Sequence, residues 1–212
     1  MAAKHLDALS PQGRAKRTLI VSAARRLFLE RGFERTSMDA ICDTAGVSKA
    51  TLYNHYQNKE ALFSDVVREI VDRIAGEWLS AIEDDALTLT SKEDLRRTLT
   101  TFAQHSLTSL MSPEYLALVR VVIADLRQFP QLGEIYRAAG PEPAMRRFAS
   151  FLDHARKKGL VEFADPFIAA RLFIGSILSY TLMDGLLVAH EPHIPPAEQV
   201  EAIVDLFMRS IT

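Results

Sequence analysis

One cysteine in 212 residues, Cys42, excludes a disulfide framework and any zinc site built from several thiolates, and it suits a reducing compartment. Long hydrophobic runs are missing as well. The longest charge-free apolar stretch, Leu172 to Met183, is bracketed by Arg171 and Asp184 and falls short of the ~20 residues that span a bilayer. Residues 1–10 carry Lys4, His5 and Asp7 with no apolar run behind a basic start, so no secretory signal is read there. A soluble, cytoplasmic protein with no membrane partner is expected. Sustained alternation of period two is absent, which argues against a sheet. Also absent are a Gly-x-Ser-x-Gly elbow, a P-loop, a dinucleotide fingerprint and a His-Glu-x-x-His pair, so neither enzymatic activity, a cofactor nor a metal is expected. His190-Glu191-Pro192-His193 brings two imidazoles near a carboxylate, but a proline between two helices reads as a linker.

What is present is an ordinary globular composition, 48% hydrophobic and 25% charged, in a chain long enough to bury on the order of 70% of its unfolded surface. The net charge of −2 is unevenly spread: residues 1–60 hold ten Lys/Arg against six Asp/Glu, and residues 61–212 hold 15 against 21. A basic end on an acidic body fits a chain of which one end meets a polyanion. Apolar residues recur at helical spacing almost throughout, as in Leu19, Ala23, Leu27 and in Leu62, Val66, Ile70, Ile74, so the fold class is all-α with nine or ten helices. The first is read from Gly13 to Arg31, ended by Gly32. A long helix is read from Asn58, fading at Glu83-Asp84-Asp85, whose acids oppose the negative end of the helix dipole. Ser91 and Asp94 have capping-box spacing for a helix reaching Met111, and Ser112-Pro113 starts another. The last two are read over Pro166–Ala189 and Ala197–Ser210.

The most informative segment is Thr36 to Tyr56. Thr36 with Asp39 has capping-box spacing for a short helix, Gly46 suits its left-handed stop, and Ser48 suits the cap of a second short helix. Ile41, Val47 and Leu52 supply an apolar side, while Ala40 and Ala45 permit a close crossing: this is the helix-turn-helix pattern. Lys49, Ala50, Thr51, Tyr53, Asn54 and His55 stay outside. Lysine can donate to guanine acceptors, an alanine methyl can touch a thymine methyl, and Thr, Tyr and His can donate to phosphate. On spacing alone, a helical hairpin with a polar outer face remains the alternative. Cys42 is read as a buried structural thiol.

These residues also carry a resemblance. Gly32-Phe33, Thr36-Ser37, Ala45-Gly46-Val47-Ser48, Thr51-Leu52-Tyr53, His55-Tyr56 and Asn58-Lys59-Glu60-Ala61-Leu62-Phe63 resemble the N-terminal DNA-binding domain of the TetR family of bacterial transcriptional regulators. More weakly, Leu118-Val119-Arg120 through Phe129-Pro130 and Gly140-Pro141 look like the C-terminal region of its AefR-like branch. The resemblance implies a three-helix DNA-binding domain over residues 1–60 and a larger helical ligand-binding and dimerisation domain over 61–212. It implies a homodimer bound to a pseudo-palindromic double-stranded operator, repressing transcription until a small hydrophobic effector releases it. By the family pattern Lys49, Ala50 and Tyr53 sit where bases or nearby backbone are read, with Ser48 opening that helix, and Ser37, Thr51, His55 and Lys59 match phosphate-contacting positions. Lys59 has a second warrant, since it starts a long helix whose positive end favours phosphate. Tyr56, where the family has an apolar residue, is read as core with its hydroxyl reaching out. Arg14, Lys16 and Arg17 are read either as extra phosphate contacts or as a solvated helix start.

For an effector pocket the candidates are Trp78, Phe102, His105, Tyr115, Arg120 and Tyr180, with Arg120 read as a buried cation in need of a partner. For a two-fold helical interface they are Leu172, Phe173, Ile177, Tyr180, Thr181 and Asp184 on one helix and Val200, Val204, Phe207 and Met208 on the other, an internal helix pair being the alternative. The competing reading for the whole chain is a helical ligand-binding or scaffolding protein whose helix-turn-helix is non-specific or vestigial.

Overall fold

The computed structural model describes residues 10–211, with the side chains of 75–81 and 83–88 left undescribed, so the candidate Trp78 lies outside the described residues. Among the described residues ten α-helices follow one another: α1 Pro11–Arg31, α2 Met38–Ala45, α3 Lys49–His55, α4 Lys59–Thr88, α5 Lys92–Leu110, α6 Pro113–Asp125, α7 Gln131–Ala139, α8 Pro141–Lys157, α9 Pro166–Tyr180 and α10 Ala197–Ser210. No strand occurs among the described residues. Of these residues, 10–69 with 120–136 form one compact unit and 70–119 with 137–211 form another.

Local signals explain the helix ends. Ser10 caps α1 by accepting from the Gly13 amide at 3.2 Å, with Pro11 at the first helical position, so the helix starts two residues before the expected Gly13. Gly32 ends it at φ +84°, ψ 169°, a region essentially confined to glycine. Asn58 caps α4 through the Ala61 amide at 2.8 Å. That helix does not fade at the three acids but continues to Thr88. Ser91 caps α5 as its spacing predicts, accepting from the Asp94 amide at 3.0 Å, while the Asp94 carboxylate reaches back one residue further, to the Thr90 hydroxyl at 2.6 Å and amide at 3.3 Å.

In the first unit, Phe28, Phe33 and Phe63 bury their rings completely and meet at centroid distances of 5.2 to 5.6 Å. Phe129 joins them edge-on against Phe33 at 5.1 Å. Each such ring contributes roughly 1.5–3 kcal/mol through burial. The stretch after Gly32 is held from two sides. The Asp125 carboxylate accepts from the Phe33 amide at 2.8 Å and the Glu34 amide at 3.3 Å, and a Cβ at Gly32 would stand 3.3 Å from that same oxygen.

The second unit is built on a chain of rings. Phe102 of α5 stacks on Phe148 of α8 at 4.5 Å, Phe148 on Phe173 of α9 at 5.3 Å, and Phe173 lies 4.7 Å from Phe207 of α10. The expected interface is corrected here. Phe173, Ile177 and Thr181 on the α9 side, and Val200, Val204 and Phe207 on α10, are buried in the chain's own core, while Tyr180, Asp184 and Met208 are half-buried. The exposed apolar groups are Phe167, Ile168, Leu172, Leu178, Leu182, Met183 and Leu187, with Leu206 of α10, and Leu172 alone of the expected interface residues is among them. α9 is apolar on both sides, with Phe173 buried on the inward one and Phe167 exposed. The last helical stretch is corrected too, because α9 ends at Tyr180 and a π turn over Thr181–Leu186 follows. Gly185 there leaves room for Leu116, whose methyl a Cβ would approach to 3.1 Å.

Candidate nucleic-acid interface

The helix-turn-helix forms because three side chains close it from inside. Ile41 and Leu52 are fully buried and Cys42 nearly so, with α2 packed against α1 and α3. Burial and the nearby carboxylates of Asp39 and Asp43 push the Cys42 thiol up, which keeps it inert. Gly46 takes φ +65°, ψ 34°, and Val47 donates back to the Cys42 carbonyl at 3.1 Å, giving the short turn its shape.

The cap of α2 is one residue later than expected. Ser37, not Thr36, accepts from the Ala40 amide at 3.1 Å. Thr36 is buried and its hydroxyl lies 2.8 Å from the Gly32 carbonyl and 3.2 Å from that of Leu27, pinning the approach to α2 onto the end of α1. Ser48 caps α3 as its position predicts, accepting from the Thr51 amide at 3.2 Å, with its oxygen 2.9 Å from the Thr51 hydroxyl. A capping serine that accepts from backbone can still donate its hydroxyl hydrogen outward, which is what a phosphate contact needs.

On the outer face, Ser37, Ser48, Lys49, Ala50, Tyr53 and Asn54 are exposed, and Thr51 and His55 are half-buried. Tyr53 stands 50% exposed on a helix whose opposite face is sealed, so packing does not account for it. Lys49 is 66% exposed, and its ammonium donates to the Asp39 carboxylate at 2.8 Å, which holds its pKa above the ordinary lysine value. Sequence reasoning treated Asp39 only as a cap. The ten-residue separation of this pair across a turn gives no pattern that would reveal it.

Lys59 is placed differently from the expectation of an outward phosphate contact. Its ammonium donates to the carbonyls of Phe33 at 2.8 Å, Thr36 at 2.9 Å and Glu34 at 3.3 Å, and sits 4.3 Å over the Phe33 ring. An ammonium has three donors, and all three are engaged. Burial lowers its pKa. Tyr56 also differs: its hydroxyl does not reach out but donates to Asp65 at 2.8 Å, the oxygen that Arg17 also meets at 2.7 Å. Burial, with the Asp65 carboxylate, drives the phenol far above its ordinary value. Arg17 therefore braces α1 on α4, while Arg14 and Lys16 are exposed.

The effector candidates do not share one environment. Phe102 and Tyr115 are buried, Phe102 within the ring stack, and Tyr180 is half-buried. His105 is exposed, and so is Arg120, which corrects its reading as a buried cation. Arg120 moreover belongs to residues 120–136, which group with the N-terminal helices.

Residues 20–66 match bacterial regulatory proteins of the tetR family, and residues 97–210 match the C-terminal domain of AefR-like transcriptional repressors. The chain belongs to the TetR family. Among solved structures it is similar to the flavonoid-responsive regulator FrrA, 33% identical with a TM-score of 0.71 over 93% of this chain and 97% of that one. A TetR-family regulator from Mesorhizobium loti is 26% identical, with a TM-score of 0.75 over 95% of this chain and 99% of that one. Among curated relatives, the transcriptional regulator UidR of Escherichia coli is 36% identical over 78 residues, 37% of this chain and 40% of that protein. The repressor KstR2 of Rhodococcus jostii is 30% identical over 125 residues, 57% of each. The chain thus matches about two fifths to three fifths of the length of these curated relatives.

Proposed function

We propose that this TetR-family chain is a cytoplasmic, non-enzymatic repressor that binds a pseudo-palindromic DNA operator as a homodimer and is released by a small apolar molecule. The observation that carries the reading is the outer face of α3. Lys49, Ala50 and Tyr53 project from a helix whose other side is sealed into the core, and flanking serines keep hydroxyls at the surface. That combination of a base-reading donor, a methyl and phosphate donors suits the major groove. In this reading Ser37, Ser48, Thr51 and His55 meet backbone, and Lys59 supports the fold of the segment rather than the operator.

The exposed stripe on α9 supports the homodimer. Pro166–Leu186 has the length and composition of a membrane span. Its outward face, however, also carries Arg171 and Ser179, and one side of the segment already packs on α8 and α10, which fits a second copy better than a bilayer. An apolar effector is supported by the flavonoid response named for FrrA.

The test is selection of bound duplexes from a randomised pool by the full-length protein at fixed, near-physiological salt with competitor DNA. An enriched inverted repeat supports the reading. Lys49→Ala should then weaken the enriched duplex about tenfold or more while affecting a scrambled duplex less. Equal loss on both would leave only phosphate binding, the behaviour of a vestigial helix-turn-helix.

A further inference from the structure

The face presented by α2 and α3 contains an acid that the operator reading does not use. Asp39 and Lys49 lie on the same exposed face, 60% and 66% exposed, with Nζ and Oδ2 2.8 Å apart. An acid on a surface meant for a polyanion opposes binding, so its presence needs a reason. Folding supplies only part of one, since Asp39 in the first turn of α2 gains weakly from the positive end of the helix dipole. Ser37 already caps α2, and a pair as exposed as this contributes little to stability. The pair does set what the face offers: an ammonium donor and a carboxylate acceptor side by side.

We propose that Asp39 is a specificity-determining residue, holding Lys49 away from phosphate on unrelated DNA and reading with it the major-groove edge of a G·C pair. This rests on the DNA-binding reading above. Guanine offers two adjacent acceptors, N7 and O6, and its cytosine offers the N4 donor beside them. O6 and N4 are Watson–Crick partners ~2.9 Å apart, close to the spacing of Lys49 Nζ and Asp39 Oδ2. Two ammonium hydrogens can then meet the guanine while Asp39 accepts from N4. On an A·T pair the second acceptor is replaced by the adenine N6 donor, which opposes the ammonium. On phosphate Asp39 finds no donor at all and its charge is repelled. The pair is therefore matched at one kind of step and mismatched along bare backbone.

The experiment measures anisotropy of the full-length protein on the duplex enriched by wild type and on a scrambled duplex of equal length, across a salt series. Asp39→Asn keeps the shape and removes the charge, and circular dichroism checks that it folds. The variant should bind the scrambled duplex several-fold tighter, with a salt slope steeper by ~0.9, the equivalent of one phosphate contact by the freed Lys49. Its preference for the enriched duplex should fall about tenfold, and one G·C pair in each half-site should become replaceable by A·T at little loss. An unchanged preference overturns the inference. Asp39→Asn placed on Lys49→Ala should lower the preference of that single variant by much less than it does in wild type, whereas a drop as large as in wild type would show that Asp39 acts without Lys49 and would also overturn it. If wild type enriches no sequence, the regulator reading itself fails and this inference with it.

Discussion

Lys59→Met removes an ammonium whose three hydrogens meet the carbonyls of Phe33, Glu34 and Thr36, while keeping a stem of similar length against the Phe33 ring. The Glu34 contact is the longest and lies at the surface, where water can replace it. The Phe33 and Thr36 carbonyls are part-buried and lose their donor. Hydrogen bonds to a charged group contribute about 1.5–3 kcal/mol each, so two set a gross ceiling of about 3–6 kcal/mol. Desolvation of the ammonium offsets part of this, as its lowered pKa indicates, and about 2 kcal/mol of net destabilisation is expected. In urea this appears as a midpoint lowered by roughly 1 M at unchanged slope. The pH dependence has a definite sign. With the folded pKa below the unfolded one, the unfolded chain holds the proton more tightly, so Lys59 makes stability rise through the alkaline window ending near ~10.4. That rise should be missing in Lys59→Met. A variant as stable as wild type, with operator affinity lost and a shallower salt slope, would refute the reasoning and return Lys59 to the phosphate.

Gly32→Ala should cost about 1–3 kcal/mol in chemical denaturation, because φ +84° with ψ 169° is a conformation only glycine adopts readily and the new methyl meets Asp125 at 3.3 Å. Phe148→Ala, at the centre of the ring stack, should cost about 3–5 kcal/mol, measured the same way; a loss under about 1 kcal/mol would mean the stack closes up around the gap. The Thr90 and Ser91 hydrogen bonds, with Arg97, hold the Asp94 carboxyl well below the usual range. Its stabilisation is therefore complete above ~3.9 and is lost as pH falls toward the folded value, so Asp94→Asn should weaken the fold at neutral pH and flatten the acid limb of a stability-against-pH curve. Leu172→Glu, on the exposed stripe, should leave the thermal midpoint of each chain nearly unchanged while shifting sedimentation from dimer to monomer; a monomeric wild type would contradict the assignment of that stripe to a second copy.

The helix-turn-helix was legible because its determinants are local. Gly46, Ser48, Ile41 and Leu52 act within a span of about a dozen residues, so a spacing rule carries nearly all the information. The shift of the α2 cap from Thr36 to Ser37 shows where such rules stop. Both hydroxyls suit the role, and what decides between them is that Thr36 is drawn inward to the Leu27 and Gly32 carbonyls. Lys49 and Lys59 illustrate the same limit at the interface itself. Both are lysines at the first position of a helix, and in sequence they look equally able to meet phosphate. Lys59 is turned inward by a bend that residues 33–36 form around it, and Lys49 outward to an acid ten residues upstream.

In the second unit the apolar pattern was plain but its direction was not. A helix with one apolar stripe declares which side it buries, whereas α9 has two: Phe173 and Ile177 on one side, Ile168 and Leu172 on the other. Periodicity cannot rank them, because both repeat at helical spacing. What ranks them is the company each side finds within the chain. Phe173 fits between Phe148 and Phe207 as one ring in a continuous stack, an arrangement that needs large flat groups on three further helices. The outer side carries Ile168 and Leu172 with one ring, Phe167, which stays 48% exposed. Reading the aromatic side as the interface would leave Phe102, Phe148 and Phe207 without their partner. The outer side is therefore the one that the described part of this unit leaves uncovered.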